Sequence, residues 1–108
     1  MEVYYKLGIG FLEPVYQGAL AIEFNGRGIP YVREPRLQIS YKDVLLNKTY
    51  RPDFVCFDQI IVELKSMARL SGVEEAQIIN YLKITKKRVG LLVNFGSLPR
   101  LEWKRYVI

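Results

Sequence analysis

The sequence predicts a mixed α/β fold, a central β-sheet flanked by α-helices in the order α-α-β-β-β-α-β-β. Three observations carry this reading. Leu12, Val15, Ala19 and Ile22 keep near-helical spacing early in the chain. From Tyr31 the pattern shifts towards period two and becomes rich in β-formers. Later a capping-box sequence, Ser71-Gly72-Val73-Glu74, opens a helix that leads to the short apolar strand Val89 to Asn94.

Taken in order, Met1 to Leu7 reads as the tail of a helix closed by Gly8, with Gly10 in the turn. Glu13 to Phe24 forms the second helix; Pro14 is tolerated in its first turn, and Asn25-Gly26 ends it. Tyr31 to Tyr41 reads as one strand. Val44 to Phe57 reads as a second, broken near Asn47-Lys48, and Ile60 to Lys65 as a third. The helix begun at Ser71 should run to about Lys83. Val89 to Asn94 suits a sheet centre covered on both faces, and Leu101 to Val107 an edge. No repeat or linker interrupts the chain, which is expected to be a single domain over residues 1–108.

Composition narrows the chemistry. The chain has no histidine and one cysteine, Cys56, which removes Ser-His-Asp and Cys-His catalysis and the usual zinc ligand sets. A bound metal would take oxygen ligands, which points to Mg²⁺, Mn²⁺ or Ca²⁺. The net charge of +5 suits an anionic partner such as nucleic acid. The lone cysteine fits a reducing cytoplasm, and no apolar run approaches a membrane span.

The third strand draws attention first. Glu63 and Lys65 leave the same face of an apolar segment, where unpaired charge is costly; the alternative is a solvated edge face with a weak ion pair. If the second and third strands form a hairpin with Asp58 at its tip, Asp53 lies across from Glu63 and Arg51 across from Lys65. Phe54 then faces Val62, Val55 faces Ile61 and Cys56 faces Ile60. A slip of one residue would send the two carboxylates to opposite faces. Side by side they repel unless a cation lies between them.

Pro52-Asp53 with Glu63-Leu64-Lys65 is the Asp…Glu-x-Lys pattern of the PD-(D/E)XK nucleases. Gly10-Phe11-Leu12-Glu13-Pro14-Val15-Tyr16 resembles the signature of the GxxExxY proteins, a small bacterial and archaeal family. Gln77-Ile78-Ile79-Asn80-Tyr81 is similar to the QxxxY motif of the RecB-type branch, and Asn94-Phe95-Gly96 also looks like GxxExxY proteins. The resemblance covers nearly the whole chain. It implies a restriction-endonuclease-like core whose first helix, usually longer in that family, is shortened here.

The implied activity is metal-dependent hydrolysis of phosphodiester bonds in nucleic acid, DNA more than RNA, with Mg²⁺ or Mn²⁺. By resemblance Asp53 and Glu63 are metal ligands joined by the Leu64 backbone carbonyl, and Lys65 holds the attacking water and the phosphate. Glu13 is an additional metal or water contact, or an acid favoured by its helix dipole. Gln77 approaches the site, or packs with one buried hydrogen bond. Tyr81 contacts nucleic acid, or is packing. Arg33, Arg36, Arg51 and Arg69 flank the site, with Arg51 and Arg69 expected as nucleic-acid contacts ahead of the cluster Lys86-Lys87-Arg88. The alternative is a nucleic-acid-binding or assembly module that keeps the fold, and a homo-oligomer is compatible with either.

Overall fold

Pro14 opens helix α2 (Glu13–Gly26) from the first turn, where its missing N–H would have no partner anyway. Before it, α1 (Glu2–Leu7) ends where the Gly8 N–H bonds the Tyr4 carbonyl, and Gly8 and Gly10 turn the chain with φ of 71° and 105°. Only glycine adopts such angles freely. The computed structural model describes all 108 residues.

Five strands follow: β1 (Tyr31–Arg33), β2 (Leu37–Tyr41), β3 (Val44–Tyr50), β4 (Phe54–Cys56) and β5 (Ile60–Lys65). Helix α3 (Gly72–Thr85) leads to β6 (Val89–Asn94) and β7 (Glu102–Val107). One sheet has the order β1-β4-β5-β6-β7, in which only β5 and β6 run parallel, connected through α3. β2 and β3 pair with each other as a separate hairpin. No helix is long and apolar enough to cross a membrane.

Two expected strands divide. Tyr31 to Tyr41 splits at Glu34, whose φ of 49° is left-handed, followed by Pro35, which cannot donate to a ladder. Val44 to Phe57 does not break at Asn47-Lys48, which stays in β3; it breaks at Arg51-Pro52-Asp53. The β2–β3 turn has Lys42 and Asp43 at φ of 49° and 63°, and the β4–β5 turn has Phe57 and Asp58 at 53° and 57°. Two successive left-handed residues are the geometry of a tight, primed hairpin turn. The start of α3 follows the sequence, with Ser71 and Glu74 making both bonds of the capping box; its end lies two residues past the expected Lys83, where Lys86 closes the helix in the left-handed conformation.

The sheet separates two cores. On one face α1 and α2 bury Tyr4, Tyr16 and Leu20 against Phe54, Val62, Leu64 and Phe95. Tyr16 is fully buried, stacks on Phe95 with ring centroids 4.5 Å apart, and donates its hydroxyl to the Gly8 carbonyl. On the other face α3 and the β2–β3 hairpin enclose Tyr50, Val55, Ile61 and Leu82. β6 alternates between buried and half-buried residues, so its second face is only partly covered; β7 lies at the edge as expected.

The segment after Lys65 is anchored to the end of β6. The fully buried Asn94 accepts from the Met67 and Gly96 N–H groups through Oδ1, and its Nδ2 donates to Glu102, which also accepts from the Leu70 N–H. Gly96 is packed so closely that an added Cβ would lie 2.5 Å from the Met67 backbone nitrogen and oxygen. Gly96→Ala should therefore destabilise the protein by about 1–3 kcal/mol, measurable as a lower urea midpoint with unchanged slope. Gly90→Ala, which meets only side-chain ends of Ile78 and Leu82, should lose less. An unchanged midpoint for Gly96→Ala would mean that Met67 is not held against β6.

Candidate active site

The β4–β5 pairing has the expected register: Phe54 faces Val62, Val55 faces Ile61, and Cys56 faces Ile60. The ladder stops there, because Pro52, which has no N–H to donate, and the bend at Asp53 carry the chain away. Side chains meet the backbone donors beyond it. The Asp53 N–H donates to Glu63 Oε1 at 3.1 Å, and the Leu64 N–H donates to Asp53 Oδ2 at 2.8 Å. The two carboxylates are thus brought together at the end of the β4–β5 pair.

Their environment resists charge. Burial, followed by repulsion from Asp53, pushes the Glu63 carboxyl up to about 7. Burial also raises Asp53, opposed by the hydrogen bonds from Leu64 and Gln17 and by the charge of Lys65. Two desolvated carboxylates side by side, with a single ammonium nearby, form an electrostatically unfinished arrangement.

Lys65 and Glu63 border one narrow crevice, a cleft too tight to hold a water, with Glu74, Gln77 and Tyr81 from α3. Gln77 is therefore brought to the carboxylate–lysine face. Tyr81 borders the same cleft, but one face of its ring is covered by Tyr50, parallel to it with centroids 3.6 Å apart. Glu13 is near enough to raise Asp53 by repulsion, yet no three acidic or cysteine side chains converge anywhere as a ready metal cluster.

The expected arginines diverge. Arg51 does not lie in a ladder opposite Lys65; it reaches Glu34 at 3.7 Å, and that pair is about half exposed. Arg69 is exposed, in the segment after β5. The Lys86–Arg88 cluster lies at the opposite end of the sheet, where Lys87 donates to the Asp58 carbonyl at 2.8 Å. It is a strut between two turns, far along the strands from Glu63.

Two neighbours escaped the sequence reading, and Arg33, expected only as one of the flanking arginines, is bonded to the first of them. Gln17 Nε2 donates to Asp53 Oδ1 at 2.8 Å, and Arg33 Nε donates to Gln17 Oε1 at 2.8 Å. The only available signal was the spacing of four between Glu13 and Gln17, which puts both on one side of α2. The second is Tyr50, whose buried hydroxyl lies beside Glu63 without a well-formed hydrogen bond; burial and then Glu63 raise its pKa.

The donor set suits a hard divalent cation. All candidate ligand atoms are oxygens, and a cation would relieve the repulsion between Asp53 and Glu63. In a strand the N–H and C=O of one residue point to the same side. The Leu64 N–H points at Asp53, and the Lys65 carbonyl points the other way, to the Phe95 N–H in line with β6. The Leu64 carbonyl is consequently directed to the Asp53 side.

The sequence matches the profile of the PD-(D/E)XK nuclease superfamily over residues 1–106. Among solved structures, the crystal structure of SSO0001 superimposes with a TM-score of 0.66 at 17% identity, covering 88% of this chain and 49% of that one. The chain therefore spans about half the length of that protein, and the likeness is one of fold. No curated protein sequence matches. With a match across almost its full length and the mixed sheet that such proteins share, the chain belongs to the PD-(D/E)XK nuclease superfamily.

Proposed function

We propose that the protein is a nuclease that hydrolyses phosphodiester bonds with Mg²⁺ or Mn²⁺, acting as a single domain within the GxxExxY family of the RecB-type branch. One observation carries this reading: Asp53 and Glu63 are hydrogen-bonded together at the end of a broken ladder, with Lys65 on the same strand face. Asp53, Glu63 and the Leu64 carbonyl would hold the cation, with Glu13 contributing from α2. The cation supplies Lewis-acid activation of water and neutralises charge at the phosphate.

The chain's own groups do the rest. Lys65 donates to the attacking water and to a phosphate oxygen, and its charge opposes the negative charge that grows in the transition state. Gln77, on the cleft with Lys65, offers an amide to the same water or phosphate. Arg69 and Arg51 are exposed and meet the nucleic-acid backbone, DNA in preference to RNA; Tyr81 contributes an edge to the cleft. The cytoplasm is the compartment in which such a substrate and a free thiol coexist.

A second reading has its own support. An apolar groove of about 240 Å³, bordered by Met1, Leu20, Phe24 and Leu91, lies open on the α1–α2 face. That surface favours an assembly module, in which the chain is a homo-oligomer with the nuclease fold.

Calorimetry with Mn²⁺ on wild type, Asp53→Ala and Glu63→Ala separates the two. The nuclease reading expects binding by the wild type and its loss in both variants, with the fold retained by circular dichroism. Lys65→Ala should still bind Mn²⁺ but cleave single- or double-stranded DNA at least ~100-fold more slowly. A folded wild type that binds no Mn²⁺, even with an oligonucleotide present, would leave the assembly reading.

Metal-free stability should also depend on Glu63. Its folded pKa, about 7, stands above the ordinary 4.5, so the folded protein binds the extra proton between those values. Stability is then full below pH ~4.5 and falls as pH rises to ~7, by an order of 2–3 kcal/mol. Glu63→Gln should flatten that slope in urea titrations with EDTA. Equal slopes in both proteins would show that the Glu63 carboxylate is solvated.

A further inference from the structure

Gln17 is a buried amide, 7% exposed, with a fixed partner at each end. Its Oε1 accepts from Arg33 Nε and its Nε2 donates to Asp53 Oδ1, each at 2.8 Å. An arginine only donates and an ionised carboxylate only accepts, so only one orientation of the amide satisfies both. The other Asp53 oxygen is held by the Leu64 N–H at 2.8 Å. The carboxylate is thereby pinned from two elements, α2 and β5, while each oxygen keeps a lone pair to offer.

We infer that Gln17 and Arg33 form a positioning relay for Asp53. Arg33 fixes the Gln17 amide, and the amide fixes the plane in which Asp53 presents its oxygens to a divalent cation shared with Glu63. The relay rests on the metal reading above. Neither residue touches the cation or the substrate in this arrangement; both act through Asp53. Residues that orient a ligand from behind typically contribute 10–100-fold to metal affinity. Arg33 is an exposed residue of the edge strand β1, so its removal spares the core.

The test is Mn²⁺ calorimetry on the full chain, compared with thermal unfolding in EDTA. Gln17→Met preserves volume and removes both hydrogen bonds; it should weaken Mn²⁺ binding by ~10–100-fold. Arg33→Met should weaken it in the same direction by less, and Arg33→Lys should recover part of the loss. The double variant Gln17→Met/Arg33→Met should bind no worse than Gln17→Met alone, because Arg33 acts only through the amide.

A purely structural role would lower the unfolding temperature in EDTA but leave Mn²⁺ affinity unchanged at a temperature where the variants are folded. That result would overturn the relay alone, as would additive losses in the double variant. If Gln17→Met does not fold, Arg33→Met decides, and unchanged affinity there overturns the relay. A wild type that binds no Mn²⁺ overturns both the relay and the metal reading.

Discussion

The arrangement of the site depends on one substitution of side chain for backbone. After Phe54 and Val62 the next backbone-bonded pair along an antiparallel ladder would be Pro52 with Leu64. Pro52 has no N–H and the chain bends at Asp53, so the Leu64 N–H bonds the Asp53 carboxylate instead. Glu63 receives the Asp53 N–H in the same exchange. One ladder donor, the Leu64 N–H, thus ends on a carboxylate, a second carboxylate takes the Asp53 N–H, and the end of the strand pair becomes an acidic pocket. Pro52 itself is fully buried, which holds the departure point in place.

Other parts of the molecule preserve that end. The Tyr16 hydroxyl accepts from the Phe11 N–H and donates to the Gly8 carbonyl, tying the α1–α2 turn to the start of α2. Ser66 donates to the Phe11 carbonyl, linking the same turn to the residue after Lys65. Asn94 and Glu102 clamp the segment that follows. Elements distant in sequence therefore converge on the C-terminal end of β5. The long-range hydrogen bonds gather there, while the basic cluster braces the opposite end.

Much of this was legible in the sequence. The apolar run of the strand Ile60 to Lys65, the capping box at Ser71 and the single hairpin register joining Asp53 to Glu63 all follow from local patterns, because each is set by neighbours in the chain. What was illegible depended on unusual backbone. Lys42-Asp43 and Phe57-Asp58 make left-handed turns without the Asn-Gly or Asp-Gly pair that announces them. Glu34 breaks a strand with a conformation that its residue type rarely adopts. Gln17 is a polar residue on the buried side of α2, and only the tertiary approach of β1 and β4 to α2 gives it its two partners. Arg51 was misplaced for the same reason, since its position presumed a ladder that Pro52 ends.

The hydrogen-bonding pattern around Asp53 also limits which residue can stand there. Asparagine has nearly the same shape, but one of its two terminal atoms is a donor. Leu64 and Gln17 both point donors at the carboxylate, so an asparagine would set N–H against N–H on one side. Turning the Gln17 amide over would only move the conflict to Arg33, which has nothing but donors to offer. The mismatch has no exit along that chain. An isosteric exchange at residue 53 would therefore disturb packing as well as charge, and an inert form that keeps its shape is better sought at Lys65, which has no such pair of opposed partners.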